Sequence, residues 1–417
     1  ATGRNDWASQ IAGSPSKSFF YPSVGLSWVP SSTWDLGNAF SYLKLRGSIA
    51  SVGLPFPRFL TTPTYEYDAT GKIWKDKTHY PIGDLKPERT ITYEVGIDAR
   101  LWKNISLSAS WYSADTKNQT FDPALPPSSS YTTIYLQTGH VRNTGVELSL
   151  GYSNQWRDFG WSSNFTFSWN KNEIIDLASG ALNPVTGQPL NLSELDIKGL
   201  GKAKYILKQG GTLGDLYTTS DLKFNDNGYV EVDKAGNLLL TDEGDQIYLG
   251  SVFPSENLAW RNDFRYKGIN LGLLFTGRIG GICYSATQAN MDLYGVSEVS
   301  AAARDAGGVL INGREMVDAQ KWYQAIGSQS GLPQYYTYSA TNFRLQELSL
   351  GYTLPRKWFR NKMGLTVSFV GRNLWMIYCK APFDPEAVAS TGLSYQGIDY
   401  FMMPSLRSLG FNVKFEF

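Results

Sequence analysis

Few residues in this chain could carry acid–base, nucleophilic or metal chemistry. It has two histidines, His79 and His140, and two cysteines, Cys283 and Cys379. These residues are too few and too scattered for a zinc cluster, and neither histidine stands in a context typical of a serine or cysteine nucleophile. The paired acids of "DEGD", at 242–245, lie in a polar loop. We therefore expect no catalytic site and no enzyme.

Composition favours a β-protein. The 417 residues include 38 Lys and Arg against 37 Asp and Glu, so no basic field would attract nucleic acid. Aromatic residues reach 14% and glycines number 41, a mixture that suits strands and turns. No stretch of about 18 apolar residues predicts a membrane helix, whereas the strands of a membrane barrel need only every second residue apolar.

Apolar residues alternate with polar or small ones in segments of strand length. In "ITYEVGIDARL", at 91–101, every odd position is apolar and every even position is polar or glycine. After only three residues "ISLSASW" repeats the pattern, which predicts a tight hairpin. Eleven strands are predicted, near 18–29, 40–50, 90–101, 104–116, 141–152, 160–171, 257–266, 269–281, 341–353, 364–374 and 405–417.

The connections between these strands alternate between short turns and long loops. The long loops are near 51–89, 117–140, 172–256, 282–340 and 375–404. An up-and-down membrane barrel sorts its connections in this way, and a soluble sandwich has no reason to. Strands of about ten residues, rising roughly 3.3 Å each and tilted about 45°, span on the order of 23 Å, which matches the apolar band of such barrels. The predicted fold is an all-β, antiparallel transmembrane β-barrel.

Ionic residues on the faces opposite the apolar ones support this prediction. In a soluble protein they would have to fill a dry interior, whereas a barrel lumen is wet. The predicted lumen charges are Lys44, Arg46, Glu94, Asp98, Arg100, Glu147, Arg261, Asp263 and Arg265. Aromatic residues near the segment ends would form interfacial girdles; they include Trp102, Trp111, Trp156, Trp161, Trp169, Tyr266, Tyr352 and Trp358.

Two segments break the alternation, and the strand count is odd. One extra residue in "FRLQELSL", at 343–350, and one in "LRSLGF", at 406–411, would restore the period, so we predict a β-bulge in each. Eleven strands cannot pair the first strand with the last antiparallel, and an open edge in lipid leaves backbone groups unsatisfied. Either the count is wrong by one strand, or further strands belong to another polypeptide or an earlier part of the same gene product. We favour the second explanation and place residues 1–17 in an outer loop.

Several motifs together resemble one family. "LKPERTITYEVGID" at 85–98, "RNTGVELSLGY" at 142–152, "FRLQELSLGYTLP" at 343–355, "GRNLW" at 371–375, "FDPEA" at 383–387 and the closing "SLGFNVKFEF" occur in one order. The whole chain is similar to the C-terminal half of a SusC/RagA-like TonB-dependent outer-membrane transporter.

This resemblance implies a 22-stranded barrel in the outer membrane of a Gram-negative, Bacteroidota-type bacterium. An N-terminal half with the remaining strands and a plug would complete it, and TonB would act through that half. A SusD-like surface lipoprotein would form a lid, and glycans or peptides would be imported. Residues 1–417 would be one barrel domain, with no counterpart of the plug, TonB box or signal peptide. Phe417 resembles the terminal aromatic signal read during barrel assembly.

The outer loops supply candidates for contact with substrate or lid. Asp384 and Glu386 of "FDPEA" are two, although a turn around Pro385 explains them equally well. Aromatic loop residues could stack on sugar rings or pack among the loops themselves. These are Trp74, Tyr131, Tyr135, Trp322, Tyr335, Tyr336 and Tyr395.

Two further features of the loops follow from this placement. Cys283 and Cys379 should lie at the outer rim, where an oxidising exterior permits a disulfide, although two unpaired thiols are the alternative. "VDKAGNLLLTDEGD" stands where the family often carries an EF-hand-like calcium loop, which implies Asp233, Asn237, Asp242 and Asp245 as oxygen donors. Ala235 and Leu238 depart from that pattern at a ligand and at the turn glycine, so a solvated acidic loop is favoured and no other cofactor is expected.

Two other functions fit parts of the pattern. A passive porin or adhesin barrel would be closed and independent of TonB. A soluble glycan-binding β-protein would need no detergent.

Overall fold

The computed structural model describes residues 1–417 apart from 12, 57–59, 61–64, 77–78, 81–84, 122–130, 132, 178–187, 189–191, 243, 245, 391 and 393–394. Among the described residues, a single 12-stranded antiparallel sheet dominates, and each strand pairs with the next along the chain. Its strands are β1 (Thr2–Asp6), β2 (Phe19–Trp28), β3 (Phe40–Leu54), β4 (Glu88–Leu101), β5 (Ile105–Phe121), β6 (Leu136–Trp156), β7 (Phe159–Asp176), β8 (Glu256–Tyr266), β9 (Ile269–Ile279), β10 (Asn342–Leu354), β11 (Gly364–Cys379) and β12 (Ser408–Glu416).

Residues paired across the sheet form rows, and successive rows lie on opposite faces. One row is almost entirely apolar and comprises Trp28, Leu45, Ile97, Ala109, Leu148, Phe167, Leu258, Gly277, Phe343 and Tyr378. The next row comprises Ser27, Arg46, Gly96, Ser110, Glu147, Ser168, Asn257, Arg278, Asn342 and Cys379. The sheet therefore has one apolar face and one polar face, as the alternation predicts.

The short and long connections lie at opposite ends of the sheet, as predicted. The short turns comprise 29–39, 102–104, 157–158, 267–268 and 355–363, and the first of them contains the helix α1 (Pro30–Thr33). We call this edge the short-turn end. Aromatic residues form a row beside it, because Trp156 pairs with Phe159, Phe159 with Tyr266, and Ile269 with Tyr352. Trp156, Tyr266 and Tyr352 of the predicted girdles thus lie in one row, and their place at a membrane interface stays a prediction.

All eleven predicted strands are present, and the structure adds a twelfth. β1 pairs with β2 from Thr2↔Ser23 to Asp6↔Phe19, so residues 1–17 are not loop throughout as predicted. The five-residue segment "TGRND" carries no apolar alternation, and only its pairing with β2 defines it as a strand. β1 and β12 are not paired with each other, so the described sheet is open.

One of the two predicted bulges is confirmed. The register of β9 against β10 shifts between Leu274 and Phe275, which leaves Gln346 as the extra residue on β10. The bulge predicted in "LRSLGF" is wrong, because the register from Gly364↔Glu416 to Arg372↔Ser408 is unbroken. There the alternation fails because β12 begins only at Ser408, so Leu406 precedes the strand.

Beyond the other edge, which we call the long-loop end, the loops fold into a layer that we call the cap. It contains the helices α2 (Ala286–Leu293), α3 (Glu298–Asp305) and α4 (Ala319–Ile326). Ser285, Ser297 and Asp318 precede these helices, and each side chain accepts a hydrogen bond from a backbone N–H of the first turn. Short strands complete the layer: Tyr65–Asp68, Ile73–Asp76, His79–Tyr80, Thr133–Ile134, Glu194–Leu200, Ala203–Lys208, Asp215–Thr218, Ile247–Ser251, Ile282–Ser285, Val309–Ile311, Glu315–Val317, Thr337–Ser339 and Ile398–Asp399.

The cap has its own hydrophobic core. The largest buried cluster joins segments from three loops and includes Tyr205, Leu216, Tyr284, Tyr323, Leu332 and Ile398. Since a β-sheet one layer thick buries little on its polar face, the fully buried large side chains lie chiefly in the cap. Among the described residues, no helix is both long and apolar enough to cross a membrane.

Candidate functional site

A charge cluster lies on the polar face where β3 meets β4. The Arg46 guanidinium donates to the Glu94 carboxylate, and its Nε lies 3.7 Å from Asp98 Oδ2. Ser108 donates to the other Asp98 oxygen at 2.7 Å. Gly96 is paired opposite Arg46, and a Cβ there would stand 2.8 Å from the Arg46 Nε. Glycine therefore leaves the space in which the guanidinium reaches both carboxylates.

A shallow depression beside this cluster runs across β5 to β8. Its volume is about 370 Å³, and its lining includes Arg46, Ser108, Ser110, Glu147, Ser168 and Asn257. Hydroxyl groups with one cation and one anion can hydrogen-bond sugar hydroxyls or peptide amides. The polar face is thus a wall suited to a hydrated, polar solute rather than to an apolar one.

A second charge cluster lies on β8, β10 and β11. Arg261 donates to Asp263 at 2.9 and 3.0 Å and to Glu347 at 3.4 Å. Arg372 donates to the other Glu347 oxygen at 3.0 Å. The sequence predicted Arg261 and Asp263 but missed Glu347 and Arg372. Glu347 follows the bulge at Gln346, so a strict period of two from Leu345 assigns it to the apolar face.

The remaining predicted lumen charges also lie on the polar face. Lys44 is paired opposite Asp98, and Arg100 and Arg265 lie nearer the short-turn end. None of these three cations forms a salt bridge with another described residue. These three cations therefore add positive charge to the polar face.

Comparison with known proteins identifies the family to which the chain belongs. The family model described as TonB dependent receptor-like, beta-barrel, matches residues 1–374. The chain belongs to the TonB-dependent receptor family. TonB-dependent receptor P3 of Formosa agariphila is 25% identical to this receptor chain, over 99% of the chain and 43% of that protein. TonB-dependent receptor SusC of Bacteroides thetaiotaomicron is 20% identical, over 80% of the chain and 32% of that protein.

Solved structures agree on the fold. The RagAB peptide importer in its closed-closed state superposes with a TM-score of 0.73 at 21% identity, over 99% of the receptor chain and 45% of that chain. Its open-open state gives a TM-score of 0.69 at 20% identity. The receptor chain spans less than half the length of these relatives.

The "FDPEA" acids of the receptor chain have unequal environments. Asp384 is 9% exposed and accepts from Arg344, which is 4% exposed, at 2.9 and 3.2 Å. Burial opposes ionisation of Asp384, but hydrogen bonds from Arg344 and Ser405 outweigh it and hold the pKa of the carboxyl below its usual value. Asp384 thus joins this loop to β10 and offers little surface for direct contact. Glu386, 3.1 Å from Arg344 and 3.8 Å from Arg278, is more exposed.

The aromatic contact candidates separate into exposed and buried residues. Trp74 is exposed and packs on Tyr67, and Tyr395 is also exposed. Trp322 and Tyr335 form an edge-to-face pair with ring centroids 6.1 Å apart. Tyr131 and Tyr135 are partly buried.

Tyr336 cannot serve as a contact residue. Only 2% of it is exposed, because it lies in the cap core. Sequence alternation does not separate it from its neighbour Tyr335, since both belong to the short 3₁₀ helix Pro333–Tyr336 and point in different directions.

The two cysteines are free thiols, so the structure does not form the disulfide that the sequence allowed. Cys283 is buried, its Sγ lies 3.7 Å from the Tyr338 carbonyl, and burial raises the pKa of the thiol to about 12. Cys379 lies at the end of β11, with its Sγ 3.5 Å from the Ala381 carbonyl. A buried neutral thiol is unreactive.

The calcium candidates do not converge in the described part of the chain. The Asp233 carboxylate accepts from Ala235 N and Asn237 N at 2.8 Å each and from the Asn237 amide at 2.9 Å, which closes a tight turn. Asp242 is described and Asp245 lies outside the described residues. No group of three or more acids, cysteines or histidines suits a metal among the described residues, and the favoured solvated acidic loop stays a prediction.

Phe417, at the end of the chain, is 95% exposed. Its proposed role as an assembly signal stays a prediction as well.

Proposed function

We propose that this chain forms about half of the barrel wall, together with outer loops, of a TonB-dependent importer in the outer membrane of a Gram-negative bacterium. The observation that carries the proposal is the two-faced sheet: an apolar face for lipid, a hydroxyl- and charge-lined face for solute, and a folded cap at one end only. Family membership supports the same conclusion.

The cargo that we propose is an oligomeric polar nutrient, either a glycan or an oligopeptide. Serine and threonine hydroxyls around Arg46 and Glu147 suit repeated hydroxyl or amide groups. A peptide cargo gains support from the fold shared with the RagAB peptide importer, and a glycan cargo from exposed loop aromatics such as Trp74 and Tyr395.

The proposed partners follow from the same assignment. The open edges of β1 and β12 present unpaired backbone groups, which strands of the N-terminal half of the receptor would satisfy. TonB would supply energy through that half, and a SusD-like lipoprotein would cover the cap.

Uptake in cells tests this proposal. The gene product that contains this chain is deleted and restored, and uptake of labelled oligopeptides and labelled oligosaccharides is compared with and without functional TonB. We expect one cargo class to enter only in the restored strain with active TonB. Entry that persists without TonB would favour the passive porin, and equal uptake in the deletion strain would overturn the proposal.

Mass spectrometry of the unboiled membrane complex tests the partners. We expect a polypeptide or segment that carries a plug and further strands, together with a surface lipoprotein. A chain that runs alone as a heat-modifiable barrel would contradict the proposed partners.

A further inference from the structure

The short turns share a feature that barrel closure does not require. Four of the five turns place an aromatic residue directly beside a cation: Trp102–Lys103, Trp156–Arg157, Tyr266–Lys267 and Lys357–Trp358. All eight side chains are exposed. The remaining turn has Trp28 and Trp34 packed edge to face at 5.0 Å and no cation.

The charge of this end is strongly one-sided. The five turns contain seven Lys and Arg but only two acids, Asp35 and Asp158. In contrast, the longest loop at the opposite end, 177–255, contains ten acids and six cations. Arg356 pairs with Glu416 at 3.3 Å. No salt bridge with another described residue neutralises Lys103, Arg157, Lys267 or Lys357.

Three of these cations occupy backbone positions that ordinarily favour glycine or asparagine. The φ angles of Lys103, Arg157 and Lys267 are 67°, 52° and 45°. A long charged side chain gives no conformational advantage at such a position. Backbone preference therefore does not explain its presence in three separate turns.

The turn geometry sets the depth of each pair. Trp156 and Tyr266 end their strands on the apolar face, whereas Trp102 and Trp358 lie within the turns. The four cations also lie within the turns, closer to water. Lys267 Nζ lies 5.3 Å from the centre of the Tyr266 ring, so ring and ammonium share one small surface. Aromatic rings settle at the boundary between hydrocarbon and headgroups, and cations beside them lie at the level of the headgroup phosphates.

We propose that these four pairs, which we call the turn anchors, bind the phosphate groups of anionic phospholipids in the leaflet at the short-turn end. The occupant is a lipid because the turns border the apolar face, and it is anionic because none of the four cations forms a salt bridge with another described residue. The inference rests on the membrane placement in the proposed function but not on import.

A quadruple variant tests the turn anchors: Lys103→Gln, Arg157→Gln, Lys267→Gln and Lys357→Gln, made in the complete receptor complex. The matched control removes four exposed cations of the cap: Lys72→Gln, Lys223→Gln, Lys234→Gln and Arg314→Gln. Each complex is purified in detergent and titrated with phosphatidylglycerol, phosphatidylcholine or inorganic phosphate. Bound lipid is counted by native mass spectrometry, and the melting temperature is recorded.

We expect phosphatidylglycerol to bind and stabilise the unaltered complex and the control, with an apparent affinity that falls more than about tenfold in the quadruple variant. Phosphatidylcholine and inorganic phosphate should give no comparable stabilisation. Equal phosphatidylglycerol binding by the quadruple variant would overturn the proposal, as would stabilisation by inorganic phosphate alone.

Cell fractionation and uptake separate this proposal from the proposed function. A receptor that reaches the outer membrane and imports cargo while binding no anionic lipid would refute the turn anchors alone. Absence of the chain from the outer membrane would refute both.

Discussion

At the scale of single residues, the buried pair Arg344–Asp384 is the contact whose loss has the clearest consequence. Arg344→Gln leaves the Asp384 carboxylate buried without its cation, at a cost of about 3 kcal/mol. We expect faster hydrogen exchange across the loop 380–407. Arg278→Gln is the control, because Arg278 is half-exposed and its contact with Glu386, at 3.8 Å, is long and therefore weak. Equal exchange in both variants would show that the pair does not hold the loop.

The same pair predicts a pH dependence. The pKa of Asp384 is held below its ordinary value of 3.8, so its contribution to stability is present above that pH and is lost as the pH falls through the folded value. After correction for the intrinsic exchange rate at each pH, the protection of amides in the loop 380–407 should therefore fall in acid. Asp384→Asn should exchange faster at neutral pH and lose most of the acid response; an unchanged response would assign it to another group.

The cysteines give a prediction about thiol reactivity. Because burial keeps the Cys283 thiol neutral at pH 8, we expect it to resist a maleimide reagent in the folded complex and to react after denaturation without any reductant. Mass spectrometry counts the labelled thiols. Failure of both cysteines to react in denaturant until reductant is added would establish the disulfide instead.

At the scale of elements, the bulge in β10 absorbs one residue and so keeps the leucines on both sides of it on the apolar face. Deleting Gln346 would make Leu345 and Glu347 neighbours, keep their pairing with β9 and leave Leu348 and Leu350 on the apolar face. We expect this deletion to leave heat-modifiable, outer-membrane-assembled receptor in place. Deleting Ser349 instead brings Leu348 next to Leu350, which moves at least one of them off the apolar face, and should cause a large loss of assembled receptor; equal assembly of the two deletions would mean that the sheet tolerates the slip.

At the scale of the whole molecule, the largest hydrophobic core lies within the cap, and a second buried cluster joins cap segments to β5, β6 and β7. Leu332→Ala removes a fully buried side chain from the cap core, which costs about 2–5 kcal/mol. We expect protease to cut the cap loops more readily while the barrel stays heat-modifiable. Leu310→Ala, at an exposed cap position, is the control. Loss of the barrel together with the cap would show that the two fold as one unit.

The sequence by itself determined eleven of the twelve described strands of the sheet, their two faces and the ends at which turns and loops lie. These features are local, because side chains alternate with a period of two and a hairpin turn needs only a few residues. Period and parity therefore located Arg46, Glu94, Asp98, Arg261 and Asp263 on the polar face before any contact was known.

The tertiary structure alone decided which of these residues meet and how the loops fold. Glu347 and Arg372 join Arg261 only because a bulge shifts the register between strands, and β1 is a strand only through its pairing with β2. Asp384 and Tyr336, both candidates for contact with substrate or lid, lie buried through packing against segments distant in sequence. Alternation encodes the direction of a side chain within its own strand, whereas burial in the cap depends on long-range packing that no local pattern carries.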